Sequence, residues 1–213
     1  MFIKDIMTKK VITAPSDTPI GEAQKILRDG CFRRLPVVDD GKLVGVVTEG
    51  RLEKAALSST APLLWQIGQL IAHTTLRDVM AKKVITISPD ATVEEGAALA
   101  QKSGVGSLVV VEDRDKVVGI VTTNDFFYRL LNPVLGIGEP GIRIFISGAG
   151  DGKTAEKVLS TINQLGIEIK VIWTLRSTKG NKKDIIVHLN TSDPAPVLKA
   201  LEKLGCRANV RAH

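Results

Sequence analysis

The stretch KDIMTKKVIT at residues 4–13 returns as RDVMAKKVIT at residues 77–86, an offset of 73 at which most positions are identical. The likeness runs on: LPVVD (35–39) falls above LVVVE (108–112) and, after one inserted residue, KLVGVVT (42–48) above KVVGIVT (116–122). Self-similarity at a fixed spacing marks copies of one supersecondary unit. The chain therefore carries two homologous units, residues 1–57 and 75–131.

Each unit has the same expected layout. A short β-rich run (Val11-Ile-Thr13; Val84-Ile-Thr-Ile87) leads through a Pro- and Asp-containing turn into an amphipathic helix, with Ile20, Ala23, Ile26 and Leu27 at helical spacing in the first copy. Two β-branched apolar runs follow, joined by a short charged turn, which is a hairpin, and a last helix closes the unit. The order is β-α-β-β-α. A unit this small buries little surface alone, so two packed sheet to sheet should share one core. Between them, Leu63, Leu64, Ile67, Leu70 and Ile71 make one apolar helix face in residues 58–74, suited equally to packing within the domain or to a dimer contact.

Of the net charge of +6, almost all lies late in the chain. Residues 1–132 carry 17 Lys and Arg against 16 Asp and Glu; residues 133–213 carry 12 against 7. A basic hairpin tip at Lys179–Lys183 accounts for part of this and reads as a solvated turn. Aromatic residues make up only 4% and interleave with no basic helix, so nucleic-acid binding has little support. No apolar run approaches the roughly 18 residues of a membrane span, and the first ten residues lack a signal-peptide core, which points to a cytoplasmic protein. Cys31 and Cys206 match no metal-ligand spacing and are expected to be small buried hydrophobes.

The paired Val-Ile-Thr, LPVVD-like and Gly-Val-Val-Thr or Gly-Ile-Val-Thr-Thr-Asn-Asp runs resemble a tandem pair of CBS (cystathionine-β-synthase) domains, a Bateman module, over about 130 residues. The resemblance implies a disc-like regulatory module that binds AMP, ADP, ATP or a related adenosyl compound in clefts between the repeats, in roles such as energy sensing, with no catalytic residues. In the second repeat it implies a site of Ile85, Thr86, Ser107, Leu108, Val109, Thr122, Asn124 and Asp125. Thr122 and Asp125 stand at a strand-to-helix junction, where free helix N–H groups attract anions. Thr122 can bond a phosphate, and Asp125 can accept both hydroxyls of a ribose, the role the family implies. An equally simple reading makes Thr122 an N-cap and Asp125 a first-turn acid. The first repeat would use Thr13, Arg34, Leu35, Pro36, Thr48 and Arg51, and it departs from the pattern. Arg51 stands where Asp is expected and cannot accept from ribose. With Arg33 and Arg34 it suits phosphate instead, so this site is either degenerate or inclined to a phosphate-rich ligand.

Residues 132–140 hold two Pro and two Gly and read as a linker. Residues 141–213 then follow a β-α-β-β-α-β order, the ferredoxin-like split unit, making the chain α/β (α+β) overall. This segment opens with ISGAGDGKT (146–154), which is one glycine short of a phosphate-binding loop because Ser147 stands at the first Gly position. Asp184 opens its strand rather than ending it, so it is a poor partner for Mg²⁺, and the loop reads as a strand-to-helix turn with permissive glycines. A domain of this kind after a CBS pair resembles the ACT domain, which implies either an amino-acid site at the turn Gly148–Gly152 or, equally, a degenerate ACT fold used only for dimerisation. The whole chain is similar to acetoin-utilisation-type CBS–ACT proteins. The resemblance implies a homodimer acting on a regulated partner protein. His73, His188 and His213 form no nucleophile–base constellation.

Overall fold

The computed structural model describes residues 1–57, 74–113, 115–177 and 182–211. The expected apolar helix face at 63–71 lies outside the described residues, as does the tip of the basic hairpin. The chain divides into two units, Met1–Arg129 and Leu130–His213.

In the first unit the two repeats follow one plan. Repeat 1 has helix Ile3–Ile6, helix Ile20–Asp29, strands β1 (Arg34–Asp39) and β2 (Lys42–Thr48), and helix Glu49–Leu57. Repeat 2 has helix Leu76–Val79, strand β3 (Thr86–Ile87), helix Val93–Ser103, strands β4 (Ser107–Glu112) and β5 (Lys116–Thr122), and a closing helical segment. That segment begins as one α-helical turn, Thr123–Asp125, and widens into a π-helix at Phe126–Leu131. Both hairpins are antiparallel, with a register shift at the same place, Val37/Val38 and Val110/Val111.

The copies differ at their first strand. Thr86 and Ile87 pair in parallel with Val109 and Val110. The expected run Val11–Thr13 forms no strand and leaves a single bridge, Ala14 to Val37.

The repeats exchange their opening segments. The Ile3 amide donates to the Ala91 carbonyl (2.9 Å) and Lys4 to Pro89 (3.0 Å), while Thr8 and Ile120 bond each other's carbonyls at 2.9 and 3.1 Å. The same set recurs with the roles reversed: Leu76 to Thr18 (2.9 Å), Arg77 to Ser16 (2.8 Å), and Ala81 with Val46 at 2.9 and 3.1 Å. Packing follows the backbone. Leu76 is fully buried in the core of repeat 1 with Ile20, Leu35, Val37 and Val47. Met7 lies on Gly119 and Met80 on Gly45, each so close that a Cβ would collide with the sulfur. Fully burying a side chain the size of Leu or Ile contributes about 1.5–3 kcal/mol, so each repeat depends on residues that open the other.

The second unit contains a short helix, Asn132–Leu135, inside the stretch expected to be a linker. Gly136, at φ 61°, caps it in the left-handed conformation, which costs little without a Cβ. Strands β6 (Ile142–Ser147), β7 (Ile169–Arg176), β8 (Lys183–Leu189) and β9 (Arg207–Arg211) form one sheet in the order β7-β8-β6-β9, all pairs antiparallel. Helices Gly152–Gln164 and Ala195–Lys203 bury Val158, Ile162, Val197 and Leu201 against Ile144, Ile146, Ile185, Val187 and Leu189.

The glycine-rich turn is engaged with its own fold. The Gly148 amide donates to Asp184 Oδ1 at 2.7 Å and Gly150 to the Lys183 carbonyl at 2.8 Å. Asp151 caps the following helix by accepting from the Thr154 amide at 3.0 Å, and the Thr154 side chain and amide hold its carboxyl below the usual range. N–H groups that a phosphate loop would aim at a ligand are thus spent on strand β8. The cysteines depart from expectation. Cys31 is exposed, at φ 53° in the turn after helix Ile20–Asp29, and Cys206 is only partly buried.

Candidate functional site

The first unit holds a cleft of about 800 Å³ with walls from both repeats. One wall is the end of β5 and the turn beyond it: Ile120, Thr122, Thr123, Asn124 and Asp125. The rest of the lining comes from repeat 1, as Lys10, Val11 and Ile12 from its opening segment and Cys31, Phe32, Arg33 and Arg34 from the turn before β1 and its first residue. The segment exchange explains this composition, because Thr8 is bonded to Ile120 and carries the residues after it alongside β5.

Asp125 is half-buried in this cleft, its side chain only 12% exposed. Its Oδ2 accepts from the Thr122 amide (2.8 Å) and hydroxyl (2.7 Å), and its Oδ1 stands 3.3 Å from Arg129 Nε. The Asp125 amide returns to the Thr122 hydroxyl at 3.4 Å, closing a capping box. The Thr123 amide donates to the Gly106 carbonyl at 3.2 Å. Two of the helix-start amides expected to await an anion, those of Thr123 and Asp125, are therefore already bonded, so anion binding here draws also on side chains.

Those side chains are cations. Arg33 is highly exposed and sits 4.0 Å from Glu49, at the limit of an ion pair. Arg34 lies over Gly106, where a Cβ would press on its guanidinium. Burial, with a further contribution from Arg33 beside it, lowers the Arg34 pKa from its ordinary value. Among the described residues no ion pair engages Arg34. Two neighbouring guanidinium groups, with one carboxylate 4.0 Å from the first, are chemically suited to phosphate.

The other anticipated residues are placed as follows. Thr122, Asn124, Asp125 and Arg34 share the cleft. Ser107 is the cross-strand partner of Thr122, and Arg34 that of Thr48. Leu35, Pro36, Leu108 and Val109 are buried in the sheets, so their side chains serve the core. Ile85 and Thr86 are half-buried beside β4, and Thr13 and Arg51 are exposed; none of these four is among the cleft's lining residues. Lys10, Val11, Ile12, Cys31 and Phe32 line the cleft without having been singled out. Only the internal pseudo-symmetry, which lets one copy borrow the opening segment of the other, could have pointed to them.

Comparison with known proteins bears on the same region. The CBS domain family model matches residues 3–58 and 76–132, just over half of the chain. The L-aspartate semialdehyde sulfurtransferase of Methanocaldococcus jannaschii is 36% identical over 127 residues, covering 58% of this chain and 22% of that protein. The chain thus spans about a fifth of that relative's length. The CBS domain pair of protein MJ0100, solved with 5′-methylthioadenosine and S-adenosyl-L-methionine, is 35% identical with a TM-score of 0.53, covering 62% of this chain and 96% of that one. A structure named for an acetoin utilization protein (AcuB) from Vibrio cholerae is 29% identical with a TM-score of 0.54, covering 66% and 98%. CBSX2, solved in complex with AMP, is 26% identical with a TM-score of 0.51, covering 62% and 97%.

Proposed function

This chain belongs to the CBS-domain family, and on that premise we propose that it is a non-catalytic sensor whose inter-repeat cleft binds a phosphorylated adenine nucleotide. The observation that carries the reading is the charge content of the cleft: one half-buried carboxylate, Asp125, in one lining with Lys10, Arg33 and Arg34. Asp125 Oδ1 takes the ribose hydroxyls, Val11, Ile12 and Ile120 form apolar surface for the base, and the arginines take phosphate. Similar CBS pairs were solved with 5′-methylthioadenosine, S-adenosyl-L-methionine and AMP. Among these chemistries, three cations in the lining favour an anionic phosphate over a sulfonium cation. Adenine nucleotides reside inside cells, so the proposal carries a cytoplasmic location; among the described residues no helix is long and apolar enough to cross a membrane. Signalling would work by differential binding, the nucleotide favouring one arrangement of the exchanged repeats and so altering affinity for a regulated protein.

The second unit we assign as a ferredoxin-like, ACT-like domain, supported by its β-α-β-β-α-β order and sheet order β7-β8-β6-β9. Its glycine-rich turn has bonded its amides to β8, which favours assembly over amino-acid binding as its role. Edge strands β7 and β9 offer a second copy unused backbone groups, consistent with a homodimer.

Calorimetric titration with AMP, ADP, ATP, S-adenosylmethionine and 5′-methylthioadenosine tests the nucleotide reading. It expects binding near one site per chain, tighter for the phosphorylated ligands, and weakened in Asp125→Ala. Binding by none of the five would overturn it.

A further inference from the structure

We infer that Arg129 is a positioning residue that clamps the two walls of the cleft together and couples the state of Asp125 to the opening segment of repeat 1. The inference deepens the nucleotide-sensor reading and takes its ligand from it. Three contacts carry it. Arg129 Nε faces Asp125 Oδ1 at 3.3 Å, and one terminal nitrogen of the same guanidinium donates to the carbonyls of Ile6 (3.1 Å) and Met7 (3.0 Å). Thr8, bonded to Ile120, follows directly, and Lys10, Val11 and Ile12 beyond it line the same cleft as Asp125. Arg129 thus joins the back of one wall to the root of the other.

The forked guanidinium is needed for this geometry, because a lysine presents one point of charge and cannot hold an acid and two carbonyls in fixed directions. A ribose that takes Asp125 Oδ1 draws on the same oxygen that faces Arg129. Loading the site therefore changes how firmly Arg129 is oriented on Ile6 and Met7. The first repeat supplies a control within the chain. Aligned on Thr48 and Thr122, the positions of Asp125 and Arg129 are held by Arg51 and Ala55, so both members of the pair are replaced together. Alanine has no guanidinium, so a charged clamp of this kind onto the corresponding segment, Val79–Met80, cannot be built from that position. Arg129 is also the last residue of the first unit, so the clamp sits where the chain leaves it.

The test is amide hydrogen exchange on the full chain without ligand, for wild type, Arg129→Gln, Asp125→Asn and the double variant, with circular dichroism to confirm folding. Asn can still accept from Thr122, so Asp125→Asn removes the charge and leaves the cap. Arg129→Gln is expected to speed exchange across residues 7–12 about tenfold, from loss of charged hydrogen bonds to two carbonyls. Asp125→Asn, which touches none of those residues, is expected to speed it about twofold and to add nothing when Arg129 is already replaced. Arg129→Lys should fall between wild type and Arg129→Gln. Unchanged exchange at residues 7–12 in Arg129→Gln, or full additivity in the double variant, would overturn the clamp. A second arm adds AMP: in wild type the nucleotide should alter exchange at residues 3–7, and in Arg129→Gln only at residues lining the cleft. Absence of AMP binding to wild type would defeat the nucleotide reading while the ligand-free arm still decides the clamp.

Discussion

The two repeats share their backbone plan and differ at two of their three helix starts. Every backbone bond of the segment exchange has its counterpart, down to 2.9 and 3.1 Å for Thr8 with Ile120 and for Ala81 with Val46. Two of the three helix starts do not match. Repeat 2 has three carboxylate-closed caps, Thr75 with Asp78, Thr92 with Glu95 and Thr122 with Asp125. Repeat 1 keeps the first, with the Phe2 amide donating to Asp5 Oδ2 at 2.8 Å, and has Pro19, and Thr48 with Arg51, at the other two. Pro has no N–H to give, and Arg cannot accept. Shared apolar positions and backbone pairing maintain the architecture, and the polar residues at the strand-to-helix junctions separate the roles of the two halves.

Paired substitutions probe how deep the likeness goes. Leu35 and Leu108 are both fully buried at equivalent positions. Leu35→Ala and Leu108→Ala should each destabilise the first unit by about 2–5 kcal/mol, with similar values if the two cores are equally packed; urea titration measures both. The largest expected difference between the halves is in ligand binding. Asp125→Ala should weaken AMP binding by about 1.5–3 kcal/mol, the worth of hydrogen bonds to a charged group, whereas Arg51→Ala should leave it within a factor of about two. Equal losses at the two positions would mean that the repeats contribute alike. Gly45→Ala and Gly119→Ala press a methyl group on Met80 and Met7; because methionine can shift aside, each should cost about 1–3 kcal/mol, read from thermal melting.

The smallest effect is on pH. The Thr75 amide and then its hydroxyl hold Asp78 below its usual pKa, and Thr92 does the same for Glu95. A carboxyl depressed in the folded state contributes stability above its unfolded pKa and loses it as pH falls through the folded value. Acidification below the ordinary carboxylate range of about 4 should therefore loosen the start of helix Val93–Ser103 before that of helix Ile20–Asp29. Site-resolved amide exchange between pH 6 and 3 would show the order, and simultaneous loosening would remove the asymmetry.

Much of this was legible in the sequence because it is local. Repeat spacing, hairpins, the Thr-x-x-Asp junction and the β-α-β-β-α-β order of the last 70 or so residues all follow from periodicity and turn chemistry. The walls of the cleft were less legible. Thr122, Asn124, Asp125 and Arg34 were within reach of motif reading, but Lys10, Val11 and Ile12 come to the site through hydrogen bonds to β5 of the other copy, and no local pattern encodes a partner more than a hundred residues away. Cys31 was misjudged for a related reason: a composition rule favours burial, while its place in a left-handed turn after a helix puts it at the cleft.

The exchange of opening segments also sets a timetable for synthesis. When the first 57 residues leave the ribosome, the core they enclose still lacks Leu76, and Ile3 has no Ala91 to bond. Thr8 must wait longer, until Ile120 emerges. Domains generally fold as units as the chain is made, and here the unit cannot close before nearly all of it has been translated. A chain released early exposes the socket meant for Leu76, a mark by which chaperones and proteases can tell an unfinished product from a completed one.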